Sequence, residues 1–456
     1  MSHDDALPAP TEHLPAAPGA AGAPAPRRQV VAWGFWDWGQ QAFQTIILTF
    51  VFSVYLTTAV AEQVNDSDTR GTQALSNAQT IAGVAIALLC PLMGVLADRY
   101  GRRRRLLAIA TLALVACMVA MFFVRPDQQY LVLGVTLVAL ASVFSEIAGV
   151  FYNGMLLQIA TPTTFGRVSG MAWGLGYLGG LVSLVICLFA FVLPDVGLFG
   201  VTTDDGLAIR AVALFSAVWC LVFCLPLLVL GPDTPAGEGS RGSLNPVTAY
   251  RDIGLRIAHM WRNERGLLHF LVASAVYRDG LGAVFAFAGV LAASAYGFST
   301  TEVIYLGIAA NLGAGVGTWI AGRIDDAVGP RRLIVTSLTA IVVLGAVVAT
   351  SPSPVVFWVC GIGISLFVGP VQSASRSLLA RITPFGHENE NFGLYATAGR
   401  AVSFLAPAAF ALAIALFGFN RAGIIGIVAV LLIGLLLFLP LRVPANVHLA
   451  STDAPR

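Results

Sequence analysis

Long apolar stretches alternate with short polar ones along this chain, and the apolar stretches have the length of membrane helices. Twelve lie near 31–60, 74–97, 106–124, 130–153, 168–193, 209–230, 267–295, 301–322, 333–351, 355–378, 392–417 and 420–441. A bilayer core about 30 Å thick takes roughly 20 helical residues, so each stretch predicts one span. The alternation of a transmembrane strand, over roughly ten residues, is missing from all of them. The expectation is an all-α polytopic membrane protein with twelve transmembrane helices.

A polar pattern repeats inside this apolar one. Gly94-x-x-x-Asp98-x-x-Gly101-x-Arg103-Arg104 returns as Gly322-x-x-x-Asp326-x-x-Gly329-x-Arg331-Arg332, with Gly94 and Gly322 228 residues apart. Each copy sits between two apolar stretches and reads as a short charged turn. Ile159-Ala160-Thr161-Pro162 after the fourth stretch is echoed by Ile382-Thr383-Pro384 after the tenth. Two six-helix pseudo-repeats follow, an arrangement that in membranes points to transport. The expected units are a disordered cytoplasmic tail over 1–29, a six-helix bundle over 30–230, a linker over 231–266, a second bundle over 267–442 and a cytoplasmic tail over 443–456. Within the linker, Tyr250, Ile253, Ile257, Met260 and Trp261 share one helical face, which predicts an amphipathic helix on the bilayer surface.

Composition narrows the class. With 57% hydrophobic and 11% charged residues and a mean hydropathy of +0.80, no soluble core would hide the apolar surface. All 26 basic residues are Arg. Without Lys there is no Schiff-base chemistry and no G-x-x-x-x-G-K-[ST] nucleotide loop, so transport would run on gradients. A net charge of +2 in scattered loops gives no nucleic-acid footprint. The six cysteines lie in apolar runs without a C-x-x-C pair, and His3, His13, His259, His269, His387 and His448 lie at ends or loops. Neither a metal site nor a cofactor is expected, nor an enzyme. With both termini inside, twenty arginines, Arg376 and Arg381 among them, fall on cytoplasmic segments and four (Arg70, Arg125, Arg210, Arg421) outside. The positive-inside rule therefore places both termini in the cytoplasm. Arg278 and Arg400 remain within spans.

The run Gly94-Val-Leu-Ala-Asp98-Arg99-Tyr-Gly101-Arg102, with its second copy, resembles the loop motif of the major facilitator superfamily, and the resemblance covers all twelve spans. It implies that fold and a latch in which Asp98 works with Arg99 and Arg102. The second copy keeps Asp326, Gly329 and Arg331 but has Ala327 and Pro330 where arginines would stand, which implies a weaker latch. Trp33-Gly-Phe-Trp36-Asp37-Trp38, Tyr152-Asn153, Tyr277-Arg278-Asp279-Gly280 and Phe392-Gly-Leu-Tyr395 with Gly399-Arg400 resemble the vacuole-effluxer-like branch. Its fungal members are associated with amino-acid export; Arg278 stands where the branch is usually uncharged.

Polar groups inside spans are expensive, about 2.5–3.5 kcal/mol for an ionised one at a helix centre, so they point to function. Asp37, Gln40, Gln41 and Gln44 form a polar stripe on the first span. Ser142, Glu146, Gly149 and Asn153 share a face of the fourth, and Glu146 is the first candidate for proton coupling, with a structural ion pair as its alternative. Arg278 and Asp279 on the seventh point about 100° apart. Arg278 would bind a substrate carboxylate or pair with Glu146; Asp279 would bind an amine, accept a proton or pair with Arg400. The superfamily resemblance makes the first, fourth, seventh and tenth helices line a cavity, to which the tenth brings Gln372, Ser373 and Ser375. The expectation is a monomeric secondary transporter in a bacterial plasma membrane, moving a small polar or zwitterionic solute with protons or another coupling ion. A uniporter, a drug or metabolite exporter of the same fold, and a non-transporting sensor are the alternatives.

Overall fold

The computed structural model describes residues 25–62, 70–233, 246–384 and 386–441. Most of the tail expected over 1–29, the tail expected over 443–456 and linker positions 234–245 lie outside the described residues. Among the described residues eleven helices are long and apolar enough to cross a membrane: α1 (Arg27–Val60), α2 (Arg70–Tyr100), α3 (Arg103–Met121), α4 (Gln128–Ile159), α5 (Phe165–Val192), α6 (Asp204–Leu230), α7 (Arg265–Tyr296), α8 (Thr301–Val328), α9 (Pro330–Thr350), α10 (Pro354–Ile382) and α11 (Glu388–Phe417). A further apolar helix, α12 (Ala422–Phe438), has 17 residues. Each predicted stretch falls on one of these. Among the described residues the β-structure amounts to an isolated bridge between Val196 and Thr202.

The packing repeats along with the sequence. In the first six helices α1 lies against α5 and α6, α4 against α2 and α3, and α3 against α6. The same pairings recur six helices later: α7 with α11 and α12, α10 with α8 and α9, and α9 with α12. The two sets meet through α2 on α11, α5 on α8 and α10, and α4 on α11. Lipid gives helices no hydrophobic reason to associate, so close backbone approach and polar contacts must do it. Glycines supply the approach. A Cβ on Gly434 of α12 would meet Tyr277 of α7 at 2.6 Å, and one on Gly426 would meet the Ala409 carbonyl at 2.2 Å.

Helices α1, α2 and α11 depart from regular geometry in ways that bear on polar groups. α1 passes through wide turns at Phe43–Phe50 and Leu56–Val60. Pro91 lies inside α2 and cannot donate to the Ala87 carbonyl one turn back. Thr397 Oγ1 of α11 donates to that carbonyl at 3.1 Å instead. α11 is broken into Glu388–Ala401 and Leu405–Phe417.

The linker helix, Pro246–Asn263, divides the apolar face expected of it. Ile253 and Met260 are buried against the protein, whereas Tyr250, Ile257 and Trp261 are exposed. Arg99 of α2 pairs with its Asp252, and Tyr250 Oη donates to the Leu88 carbonyl at 2.9 Å.

Gly434→Val should lower the melting temperature of the purified protein by overpacking the α7–α12 contact, at a cost of about 1–3 kcal/mol. The glycine-dependent contact is refuted if this variant melts with the parent while eluting as the same species.

Candidate functional site

The repeated motif builds two caps at one end of the molecule, the end rich in arginine. A helix begins with backbone N–H groups that have no partner within the helix and carry partial positive charge, so a carboxylate there is strongly favoured. Asp98, near the end of α2, accepts from the backbone N–H of Asn389 at 3.2 Å and of Glu390 at 2.8 Å, at the start of α11. It also accepts from Asn389 Nδ2 at 2.8 Å and from Arg103 Nη2 at 2.9 Å. Arg103 donates as well to Glu388 Oε2 at 2.6 Å. All three ionised groups are buried.

Asp326, near the end of α8, does the same to the start of α5. It accepts from the backbone N–H of Gly166 at 2.8 Å and of Arg167 at 2.9 Å. Arg381 of α10 donates to both Asp325 and Asp326 at 3.1 Å. The motif's first glycine lets each pair of helices close. A Cβ on Gly94 would meet the Asn389 carbonyl at 2.3 Å, and one on Gly322 the Gly166 carbonyl at 2.7 Å.

The basic partners differ from those the family resemblance implied. Gly101 and Arg102 both adopt the left-handed conformation, with φ of 63° and 55°. The turn leaves Arg102 exposed and returns Arg103, the first residue of α3, to Asp98. Arg99 is taken by Asp252 of the linker helix. In the second copy Arg331 donates to the Leu439 and Leu441 carbonyls beyond α12, and Arg381 supplies the charge that Ala327 and Pro330 lack. Gly329, with φ of 89°, makes the corresponding turn.

Between the two sets of helices lie two adjoining cavities. One of about 370 Å³ is lined by Glu146, Arg278, Asp279, Gln372, Arg400 and Ser403, among others. A smaller one of about 70 Å³ lies beside it and adds Asn153, Trp173, Arg376 and Tyr395. Glu146, Arg278 and Gln372 line both. The structure settles the pairings that the sequence left open. Glu146 Oε1 accepts from Arg400 Nη2 at 2.5 Å, joining α4 to α11. Asp279 pairs with no arginine among the described residues; its Oδ2 accepts from the Ala406 N–H at 2.7 Å and caps the second piece of α11. Arg278 lies over the Tyr395 ring, 3.8 Å from its centroid, and donates to the Tyr395 carbonyl at 3.2 Å.

Arg376 was counted among the arginines of the cytoplasmic segments and is instead in the interior, 4% exposed. It donates to Asp37 Oδ2 and Asn153 Oδ1, each at 3.2 Å, and to Ser169 Oγ at 2.9 Å and the Ser169 carbonyl at 2.7 Å. The rings of Trp33, Tyr152 and Trp173 surround it at 4.7 to 5.6 Å. Asp37 accepts also from Tyr152 Oη at 2.8 Å. One arginine of α10 thus ties together α1, α4 and α5. The signal was its place one helical turn beyond Gln372, overlooked because it is close to the end of its apolar stretch. Of the glutamines, Gln40 and Gln44 donate to Ser145 Oγ at 2.6 and 3.4 Å, while Gln41 rests its stem near Gly180. Among the described residues no group of three or more His, Cys, Asp and Glu stands together as a metal site would require.

At the arginine-poor end, a cavity of about 560 Å³ separates α1 and α5 from α8 and is lined by Phe50, Val54, Tyr55, Leu188, Ile304 and Ile308, among others. The molecule is therefore closed by caps at one end and parted at the other.

The model of the family described as "Vacuole effluxer Atg22 like" matches residues 163–448, and that of the Major Facilitator Superfamily matches 6–184 and 42–278. A Bacillus subtilis relative named as an uncharacterized MFS-type transporter, YxiO, is 22% identical over 430 residues, 94% of this chain and 98% of its own length. Autophagy-related protein 22 of Cryptococcus neoformans is 29% identical over 293 residues, 59% of this chain and 51% of that protein, so the match spans about half of the fungal relative. Among solved structures, the human organic anion transporter MFSD10 superposes with a TM-score of 0.68 at 14% identity, covering 90% of this chain and 99% of the other. The proton:xylose symporter XylE does so with 0.69 at 15%, covering 94% and 98%. At these identities the likeness to both is one of fold.

Two predictions concern the capped end. Gly94→Val and Asp98→Asn should each raise hydrogen exchange at the Asn389 and Glu390 amides by about tenfold or more, since each loses the cap that closes them; unchanged protection in both variants would refute the cap. His387, just before α11, hydrogen-bonds Glu390 Oε2 through Nδ1 at 2.6 Å. That bond holds its pKa above the ordinary imidazole value, against partial burial. Glu390, Asp98 and Arg256 are the charges around it. A raised folded pKa means the stabilisation is complete below about pH 6.5 and is lost as pH rises through the raised value. The parent's melting temperature should therefore gain on His387→Gln toward low pH, and parallel pH profiles for the two proteins would remove this role.

Proposed function

The chain belongs to the vacuole effluxer Atg22-like family of the major facilitator superfamily, and from that premise we propose that it moves a small polar or zwitterionic solute, such as an amino acid or related metabolite, by alternating access with proton coupling. The observation that carries this reading is the Glu146–Arg400 ion pair, which spans the two sets of helices inside the polar cavity. A pair in that place is made or broken as one set rocks on the other, and protonation of Glu146 would release Arg400. A cavity of about 370 Å³ with two arginines, two carboxylates, Gln372 and Ser403 on its wall suits a compact polar solute better than a bulky lipophile.

In this reading residues 30–230 and 267–442 are the two rocking bundles, acting as a monomer in a bacterial plasma membrane. The arginine-rich end with both chain termini faces the cytoplasm, as the charge bias favours. The conformation described above is then outward-facing: Asp98 and Asp326 close the cytoplasmic side, and the cavity of about 560 Å³ parts α1 and α5 from α8 on the other. For export, the caps must release before solute enters from within. Asp37, Asn153 and Arg376 form the floor beneath the cavity, and Arg278, Asp279 and Gln372 its walls.

Counterflow in proteoliposomes across amino acids, peptides, sugars and organic acids tests the reading. Glu146→Gln should retain exchange of the transported solute and lose accumulation driven by a proton gradient. Accumulation that keeps its pH dependence in this variant would remove Glu146 from coupling; ligand-induced stabilisation without any exchange would favour a sensor.

A further inference from the structure

The charges in and beneath the cavity are satisfied one by one, with a single exception. Arg400 faces Glu146, Arg376 faces Asp37, and Asp279 faces the N–H of Ala406 at a helix start. Arg278 has no acid within salt-bridge reach among the described residues. Its guanidinium is held on one face by the Tyr395 ring and at Nη1 by the Tyr395 carbonyl. Gly399 flanks the same guanidinium: a Cβ there would stand in ordinary contact, 3.4 Å from Nη1 and 3.7 Å from Cζ. The side chain is thus fixed by an aromatic face and a carbonyl while its charge is left uncompensated.

A fixed, uncompensated guanidinium in a membrane interior is costly unless something answers it. Its flat fork of donors fits a carboxylate through two parallel hydrogen bonds, and stacking on an aromatic ring reduces the ordering cost of making them. Arg278 and Gln372 line both cavities, so they stand at the junction between the larger and the smaller one. An anionic group held there would be in contact with both sets of helices, since Glu146 and Ala396 line the same junction. We propose that Arg278, held by the Tyr395 ring and carbonyl, is the subsite that selects solutes bearing a carboxylate, with the Gln372 amide as the second donor. This rests on the transporter reading for its purpose and on the unpaired guanidinium for its chemistry.

The consequence is a preference that neutral solutes of the same shape do not satisfy. Losing one charge-assisted, two-pronged contact in a site built for it costs about 1.5–3 kcal/mol, or roughly ten- to a hundredfold in affinity.

Thermal stabilisation of the purified full-length protein in detergent would be measured with propionate, L-alanine, L-leucine and inorganic phosphate, and with propionamide, L-alaninamide and L-leucinamide as matched partners. At least one carboxylate should stabilise the parent at a concentration tenfold or more below its amide, and Arg278→Gln should erase that difference. If Arg278→Gln does not elute as a folded species, Arg278→Lys carries the test, since it keeps the charge without the planar fork and should reduce the preference by about tenfold. Amides that act as well as acids, phosphate acting ahead of every carboxylate, no response to any carboxylate, or an undiminished preference in the Arg278 variants would each overturn the assignment. Counterflow separates this outcome from that of the transporter reading. Exchange of carboxylate-bearing solutes that ignores Arg278→Gln leaves transport standing and removes the subsite, whereas Arg278-dependent binding without exchange does the reverse.

Discussion

A carboxylate placed on the exposed start of a helix from the opposite set is the contact on which this structure depends. It occurs twice, as Asp98 on α11 and Asp326 on α5. In each case two backbone N–H groups that a helix cannot satisfy internally find an acceptor, and the helix dipole finds a negative charge. Because every donor points across the boundary between the two sets, the same bonds that complete the helices also close one end of the molecule. Gly94 and Gly322 are part of the device: with any side chain there the carboxylates would be held away from the amides they cap. The two caps differ in their counter-charge. Arg103 comes from the turn itself, Arg381 from α10, and in both the cation sits beside the carboxylate rather than replacing the helix start as its main partner.

The same economy governs the interior. A charge in a membrane protein is tolerated when something specific answers it, and Arg376 is answered by Asp37, Asn153, Ser169 and three aromatic rings. Asp279 is answered by a helix start created by the break in α11. Irregular backbone and ionised side chains therefore occur together here, each satisfying the other. This is why Arg278, held by a ring and a carbonyl with no acid in salt-bridge reach among the described residues, stands apart from its neighbours.

Much of the fold could be read from the sequence because it is written in length and period. Apolar stretches of membrane length located the helices, and the duplicated Gly-x-x-x-Asp motif located the repeat. That Asp37, Glu146, Arg278, Asp279 and Arg400 lie inside the helices was legible because each interrupts an apolar run. Their partners were not, since a partner is fixed by the rotation and depth of two helices that lie far apart in sequence. Glu146 and Arg400 are 254 residues apart, and no local pattern favours that pairing over Glu146 with Arg278. The choice of Arg103 over Arg102 rests on two left-handed residues, one of them not glycine, which local preference alone would not suggest. Arg376 escaped because counting charges toward topology treats an arginine near the end of a span as solvated, although its helix continues to Ile382.

One element connects the capped end to the cavity. The first piece of α11, Glu388–Ala401, begins with the residues that Asp98 caps and carries Tyr395, Gly399 and Arg400 further along. Its 14 residues make a rod about 21 Å long. Beyond it the helix is interrupted at 402–404, and the start of the second piece is held separately by Asp279. Releasing the Asp98 cap frees one end of the rod, and breaking Glu146–Arg400 frees the other. Both contacts act on the same rigid body, so the state of the ion pair in the cavity and the state of the closed end are not independent. In the proposed transport cycle, a solute or proton that altered the pair would shift the equilibrium at the cap by the difference in its affinity for the two states, and by no more than that. Arg278 lies against this rod through Tyr395 and Gly399, so a ligand on its guanidinium would act on the same body.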